Sequence, residues 1–155
     1  MALLEFHIFS TSVTSTYLTK LGINENQVIR YPVLERQEFL QSLNSCDFML
    51  LTHGFSGELP REEYLTIFPT KTIEYLFTAK PIFYVGSDDV FLSSFLRANR
   101  VAHVVTKPDQ EVIRREFELL LKRPDVCSNY VKNAAKTQRL YERENVQKVF
   151  LSNLI

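Results

Sequence analysis

The chain contains no run of about 18 apolar residues, which excludes an ordinary membrane-spanning helix. Its N-terminus lacks the basic stretch, apolar core and small-residue cleavage site of a secretory signal, so a cytoplasmic protein is expected. Cysteine is scarce: Cys46 and Cys127 stand far apart, with no CxxC and no metal-ligand spacing, and read as reduced, partly buried thiols. No His/Cys/Asp cluster suggests a metal, and there is no internal repeat or low-complexity tract. Excess charge of either sign is also missing, since 18 basic residues balance 18 acidic ones. Bulk electrostatics therefore demands neither nucleic acid nor an acidic membrane. Residues 107–155 alone carry a net +3, against −3 for residues 1–106. A solvated helical face accounts for this more readily than affinity for anionic lipid.

What is present reads as a single globular domain over 1–155, with 45% hydrophobic residues. Five short apolar segments are expected as strands: Leu3 to Phe9, Val28 to Tyr31, Asp47 to Thr52, Pro81 to Val85 and Val101 to Val105. Helical spacing lies between them. One helix ends at Gly22, and another runs from Glu35 to Cys46 with Phe39, Leu43 and Cys46 inward. A third runs from near Pro69 with Ile73, Leu76 and Phe77 as its buried stripe, and a fourth, capped by Asp88 or Asp89, ends about Asn99. Pro108 and Asp109 open an amphipathic helix that Pro124 ends. Asp125 caps a long helix to about Arg143, and Asn145 begins the last one, completing C-terminal helices over 125–155. His7, inside the first strand, reads as a satisfied core histidine. The stretch His53 to Ile67 reads as the longest irregular loop, of the kind that often carries function.

Strands alternating with helices imply an α/β, Rossmann-like three-layer sandwich with a mainly parallel sheet of about five strands, covered on both faces. Ligands gather beyond the carboxyl ends of such strands. The loops after residues 9, 31, 52, 85 and 105 are then expected on one edge, with the mouth of the helix at Pro69 opening near it. There Thr70, Lys71 and Glu74 place a hydroxyl, an ammonium and a carboxylate near backbone N–H groups at the positive end of the helix dipole. A nucleoside diphosphate suits such a mouth.

The segments Tyr31–Pro32, Cys46–Asp47, Pro69–Thr70–Lys71, Glu74–Tyr75–Leu76 and Ala79–Lys80–Pro81 together resemble the C-terminal, nucleotide-sugar-binding domain of GT-B glycosyltransferases of the family 4 or group 1 type. The resemblance covers roughly residues 5 to 150. It implies that Glu74 binds the ribose of a UDP- or GDP-sugar donor, and that Thr70 and Lys71 approach the diphosphate, Lys71 stabilising it as leaving group. It further implies that the turn at Tyr31 and Val33 holds the base, and that His53, Gly54 and Glu58 face the sugar. No cofactor and no nucleic acid are implied.

Two departures from the family pattern stand out. Its upstream glutamate falls here at Thr66, leaving Glu58, Glu62 or Glu63 as substitutes, and the early loop carrying an Arg and a Lys for the phosphates is absent. The expectation is therefore half of a two-domain enzyme of polysaccharide or glycoconjugate synthesis. Its N-terminal Rossmann domain would be supplied in cis or in trans, and this chain would be inactive alone. Peripheral contact of the full enzyme with the inner membrane face is compatible with this reading. A degenerate Rossmann-like domain that binds nucleotides or proteins without catalysis is the alternative. A receiver-like module is excluded because Ser10–Thr11–Ser12 replaces its paired acids and Asp47 begins its strand instead of ending it.

Overall fold

The structure, a computed structural model, describes residues 4–10, 12–20, 22–31, 34–55 and 60–152. It has two compact units, Met1–Cys46 and Asp47–Ile155.

The first unit contains β1 (Phe6–Phe9), α1 (Ser15–Lys20), a 3-10 turn at Glu25–Gln27, β2 (Val28–Tyr31) and α2 (Arg36–Ser45). β1 and β2 pair in parallel, from Phe6 opposite Val28 to Phe9 opposite Tyr31. α1 stops where the sequence places its glycine. Gly22 takes φ +69°, and its N–H donates to the Thr19 carbonyl at 3.0 Å while Ile23 N–H reaches Leu18, satisfying carbonyls the helix leaves open. Leu18 and Leu43 are the buried aliphatics, and Phe9 stacks on Tyr31 at 4.5 Å and meets Phe39 edge-on at 5.3 Å. His7 Nδ1 lies 2.9 Å from the Tyr31 hydroxyl, so this histidine is satisfied within the packing.

The second unit runs β3 (Met49–Thr52), α3 (Arg61–Thr66), α4 (Thr70–Phe77), β4 (Ile82–Val85), α5 (Phe91–Asn99), β5 (Ala102–Val105), α6 (Gln110–Leu121), α7 (Pro124–Thr137), a 3-10 turn at Gln138–Tyr141 and α8 (Arg143–Ser152). Its parallel sheet has the order β3-β4-β5. In the central strand Ile82, Phe83 and Tyr84 are all buried, the mark of a strand covered on both faces. β3 instead alternates, with Met49 and Leu51 buried and Leu50 47% exposed. On one face of the sheet Phe83, Val105 and Leu120 form a core flanked by Phe48, Phe117 and Tyr130.

The expected five-stranded sheet is thus corrected to two parallel sheets, of two and three strands. Four-residue strands carry too few side chains to dictate a lateral partner. Both β1 and β2 keep exposed positions, Phe6 at 46% and Ile29 at 38%, where a central strand would be buried. The expected stripe on α4 also shifts. Thr72 and Leu76, one turn apart, are the buried pair, whereas Phe77 is 49% exposed. The loop expected over His53 to Ile67 contains α3.

Helix starts differ in similar ways. Val90 takes the N-cap position of α5 without a side-chain bond, because Asp88 is engaged by Arg97. Pro124 begins α7 instead of merely ending α6, and Asp125 pairs with Arg123. The long helix expected to about Arg143 ends at Thr137 and passes into the 3-10 turn at Gln138–Tyr141, and the last helix begins at Arg143 instead of Asn145. Asp109 caps α6 as expected, its carboxylate accepting from Val112 N–H at 3.0 Å. Both cysteines are free and partly buried. Among the described residues no helix is long and apolar enough to cross a membrane.

Candidate functional site

The carboxyl ends of β3, β4 and β5 share one edge in the second unit, because the three strands are parallel and in register. Each end is stitched to the next. His53 N–H donates to the Val85 carbonyl at 2.9 Å, and Gly86 N–H donates to Val105 at 3.2 Å. Gly86 sits where no side chain fits. A Cβ there would lie 2.4 Å from Tyr84 Oη and 2.6 Å from the His53 carbonyl. The loop after β4 is fixed further by an ion pair between Asp88 and Arg97. Arg97 Nη2 also reaches Thr106 Oγ1 at 3.4 Å, bridging to the loop after β5.

His53 directly follows the end of β3. Its Nδ1–H donates to the Gly54 carbonyl at 3.2 Å, and that same carbonyl accepts the Tyr64 hydroxyl at 2.6 Å. Tyr64, from α3, packs its ring against the imidazole at 4.8 Å. The Gly54 carbonyl can only accept, so Nδ1 carries the proton in that bond. Beneath it the Tyr84 phenol is fully buried, and its pKa is pushed up to about 12, first by burial and next by neighbouring Tyr64. Tyr84 therefore stays protonated across physiological pH, a hydrogen-bond donor and never a base.

The mouth of α4 is built differently from a capped helix. Pro69 takes the N-cap position with extended backbone and no side-chain bond, and Thr72 N–H turns back to the Pro69 carbonyl at 2.9 Å. The N–H groups of Thr70 and Lys71 have no backbone acceptor among the described residues. Phe68, just before the helix, anchors the entry by meeting Phe95 of α5 edge-on at 5.0 Å. Thr72 is fully buried in this first turn, with no hydrogen-bond partner for Oγ1 among the described residues. At the other end Ala79 adopts φ +54°, the left-handed conformation typical just past a helix, and leads through Lys80–Pro81 into β4.

Among the expected site residues, Thr70, Lys71 and Glu74 do lie together on α4. Thr70 is exposed, and Lys71 and Glu74 are half-buried, Glu74 one turn beyond Thr70. His53 and Gly54 directly follow the end of β3. Tyr31 ends β2 in the first unit, its ring and hydroxyl engaged by Phe9 and His7. Val33 and Glu58 lie outside the described residues. The loops expected on one edge reduce, within the second unit, to those after residues 52, 85 and 105.

Tyr64, Tyr84, Gly86 and Arg97 were missed by sequence reasoning. Only Gly86, closing an apolar strand ahead of Ser87–Asp88–Asp89, carried a local signal. No group of three or more His, Cys, Asp or Glu that could hold a metal ion occurs among the described residues. Compared with known families and with curated proteins, the chain matches no family model and no curated sequence.

Proposed function

We propose that this chain is the donor-binding half of a GT-B-type glycosyltransferase, holding a UDP- or GDP-sugar at the mouth of α4. The observation that carries the reading is that mouth itself: two open N–H groups, at Thr70 and Lys71, the Lys71 ammonium, and Glu74 one turn on. Ala79 adds support. The resembled motif has glycine at this position, and here the backbone takes the left-handed form that glycine adopts without strain. In a retaining transfer the main barrier is release of the nucleoside diphosphate. Lys71 and the helix N–H groups would stabilise its growing charge, while Glu74 would fix the ribose so that the phosphates are aligned.

The acceptor site and any base belong, in this reading, to an N-terminal Rossmann domain present in cis or in trans. Exposed Val146, Phe150 and Leu151 on α8, at 50%, 65% and 61%, are compatible with a face that a partner covers. The enzyme would act in the cytoplasm, with its whole form free to touch the inner membrane face.

A binding-only domain is the second reading, and Thr66 favours it. This residue stands where the resembled motif has a glutamate, and its hydroxyl is spent on the Glu62 carbonyl of its own helix, at 2.7 Å. Titration with UDP, GDP and UMP, followed by amide NMR, tests the donor site. Shifts centred on Thr70–Glu74, weakened by Glu74→Ala without loss of melting temperature, support it. Silence with all three nucleotides refutes it.

A further inference from the structure

The second unit carries a groove of about 640 Å³, within the range of small-ligand sites, and none of its lining residues belongs to the donor site proposed above. Its floor is Ala102, His103 and Val104 of β5, which among the described residues pairs only with β4, and its walls are the end of α5 and one side of α7. Four cations face it: Arg97, Arg100, Lys132 and Lys136. Among the described residues no carboxylate lines it. Two nearby acids pair with lining residues, Asp88 with Arg97 and Glu116 with His103, and Glu116 also reaches Arg115, while Asp125 is held by Arg123.

Arg97 is thereby offset by Asp88. Arg100, Lys132 and Lys136 have no acidic partner among the described residues. Their placement is set by the fold. Arg100 ends α5 at φ +51°, and its carbonyl accepts from Asn133 Nδ2 at 3.0 Å, tying α7 to the head of β5. Lys132 and Lys136 are four residues apart on α7, about 6 Å along the axis, with Asn129 and Asn133 beside them. The groups at the rim without an acidic partner are thus mainly donors, a guanidinium and two ammoniums with the Asn129 amide beside them, while Asn133 Nδ2 is already bonded to the Arg100 carbonyl.

We infer that this groove binds a phosphoryl anion of two or more negative charges, a polyphosphate or a phosphorylated headgroup. Phosphate offers only acceptor oxygens, which match such a rim, and its charge offsets three cations that otherwise repel one another. A carboxylate of an acidic peptide would bring a single charge to the three cations, where a phosphoryl group brings nearly two and three acceptor oxygens.

The test uses the full chain with inorganic pyrophosphate and tripolyphosphate, followed by amide NMR. A second arm uses phosphatidylcholine vesicles with and without a phosphoinositide. Shifts at residues 97–104 and 129–136 are expected, weakened about tenfold or more by the double variant Lys132→Glu/Lys136→Glu. Arg100→Gly, which suits the positive φ, should weaken binding without unfolding. Lys71→Ala should leave it intact, separating this groove from the α4 mouth. Binding of both free anions and phosphoinositide vesicles, lost in the double variant, supports a headgroup-type ligand. Free-anion binding alone supports a soluble one. No groove shifts at roughly 10 mM pyrophosphate, where even millimolar binding fills the site, overturn the inference. So does binding that survives the double variant, or groove shifts with polyglutamate but with neither phosphate.

Discussion

Substituting Gly86 by alanine probes the edge on which the candidate site stands. The added carbon would lie 2.4 Å from Tyr84 Oη, 2.7 Å from Tyr84 Cζ and 2.6 Å from the His53 carbonyl oxygen. Carbon and carbonyl oxygen settle at about 3.3 Å or more, so the backbone at His53 or Gly86 must move by roughly 0.7 Å. Neither is free to do so. His53 N–H is held by Val85, and Gly86 N–H by Val105. The cost should therefore fall in the upper part of the usual range for overpacking, about 2–3 kcal/mol. At roughly 3 °C per kcal/mol for a chain of this size, melting should fall by about 6–9 °C.

Urea unfolding of wild type, Gly86→Ala and Gly22→Ala measures it. Gly22 has no atom within 4 Å of its would-be Cβ and pays only for its left-handed backbone, about 1–2 kcal/mol. Adding Tyr84→Phe to Gly86→Ala removes the 2.4 Å contact but leaves the other two, so rescue should be partial. Unchanged stability of Gly86→Ala, or full rescue by Tyr84→Phe, would refute the reasoning.

Two further effects follow from the same region. Tyr84 titrates at about 12 in the folded chain against 10.0 in the open one, so between these pH values the unfolded form has lost a proton that the folded form keeps. The share of stability that depends on the buried, protonated phenol should be intact below pH 10 and be lost progressively as pH rises from there through about 12. Tyr84→Phe should lack that share of the alkaline slope, and parallel curves for the two proteins would contradict the burial argument. Ala79→Gly should stabilise the chain by about 0.5–1 kcal/mol, the left-handed strain relieved exceeding the entropy added to the unfolded chain. A lower urea midpoint in that variant would show the position carries no strain.

Much of the local structure was legible because it depends on near neighbours. The apolar run at β4, the glycine that ends α1, the Asp109 cap and the start of α4 after Pro69 each follow from a few adjacent residues, and each stands where the chain pattern puts it. The grouping of Thr70, Lys71 and Glu74 is equally local, since helical spacing alone brings them together. The sheet is another matter. A strand's pattern says that it pairs but not with which strand, and only long-range hydrogen bonds separated β1-β2 from β3-β4-β5. Tertiary packing likewise decided that Thr72 and not Phe77 is buried, that Asp88 meets Arg97 instead of capping α5, and that Tyr84, Gly86 and His53 close on one another. Composition balanced the charges of the chain as a whole, whereas the fold gathered Arg100, Lys132 and Lys136 on one groove with no acid among them. The difference is one of range: backbone preference acts over a turn or a strand, while burial and charge pairing are settled among residues that only the folded chain makes neighbours.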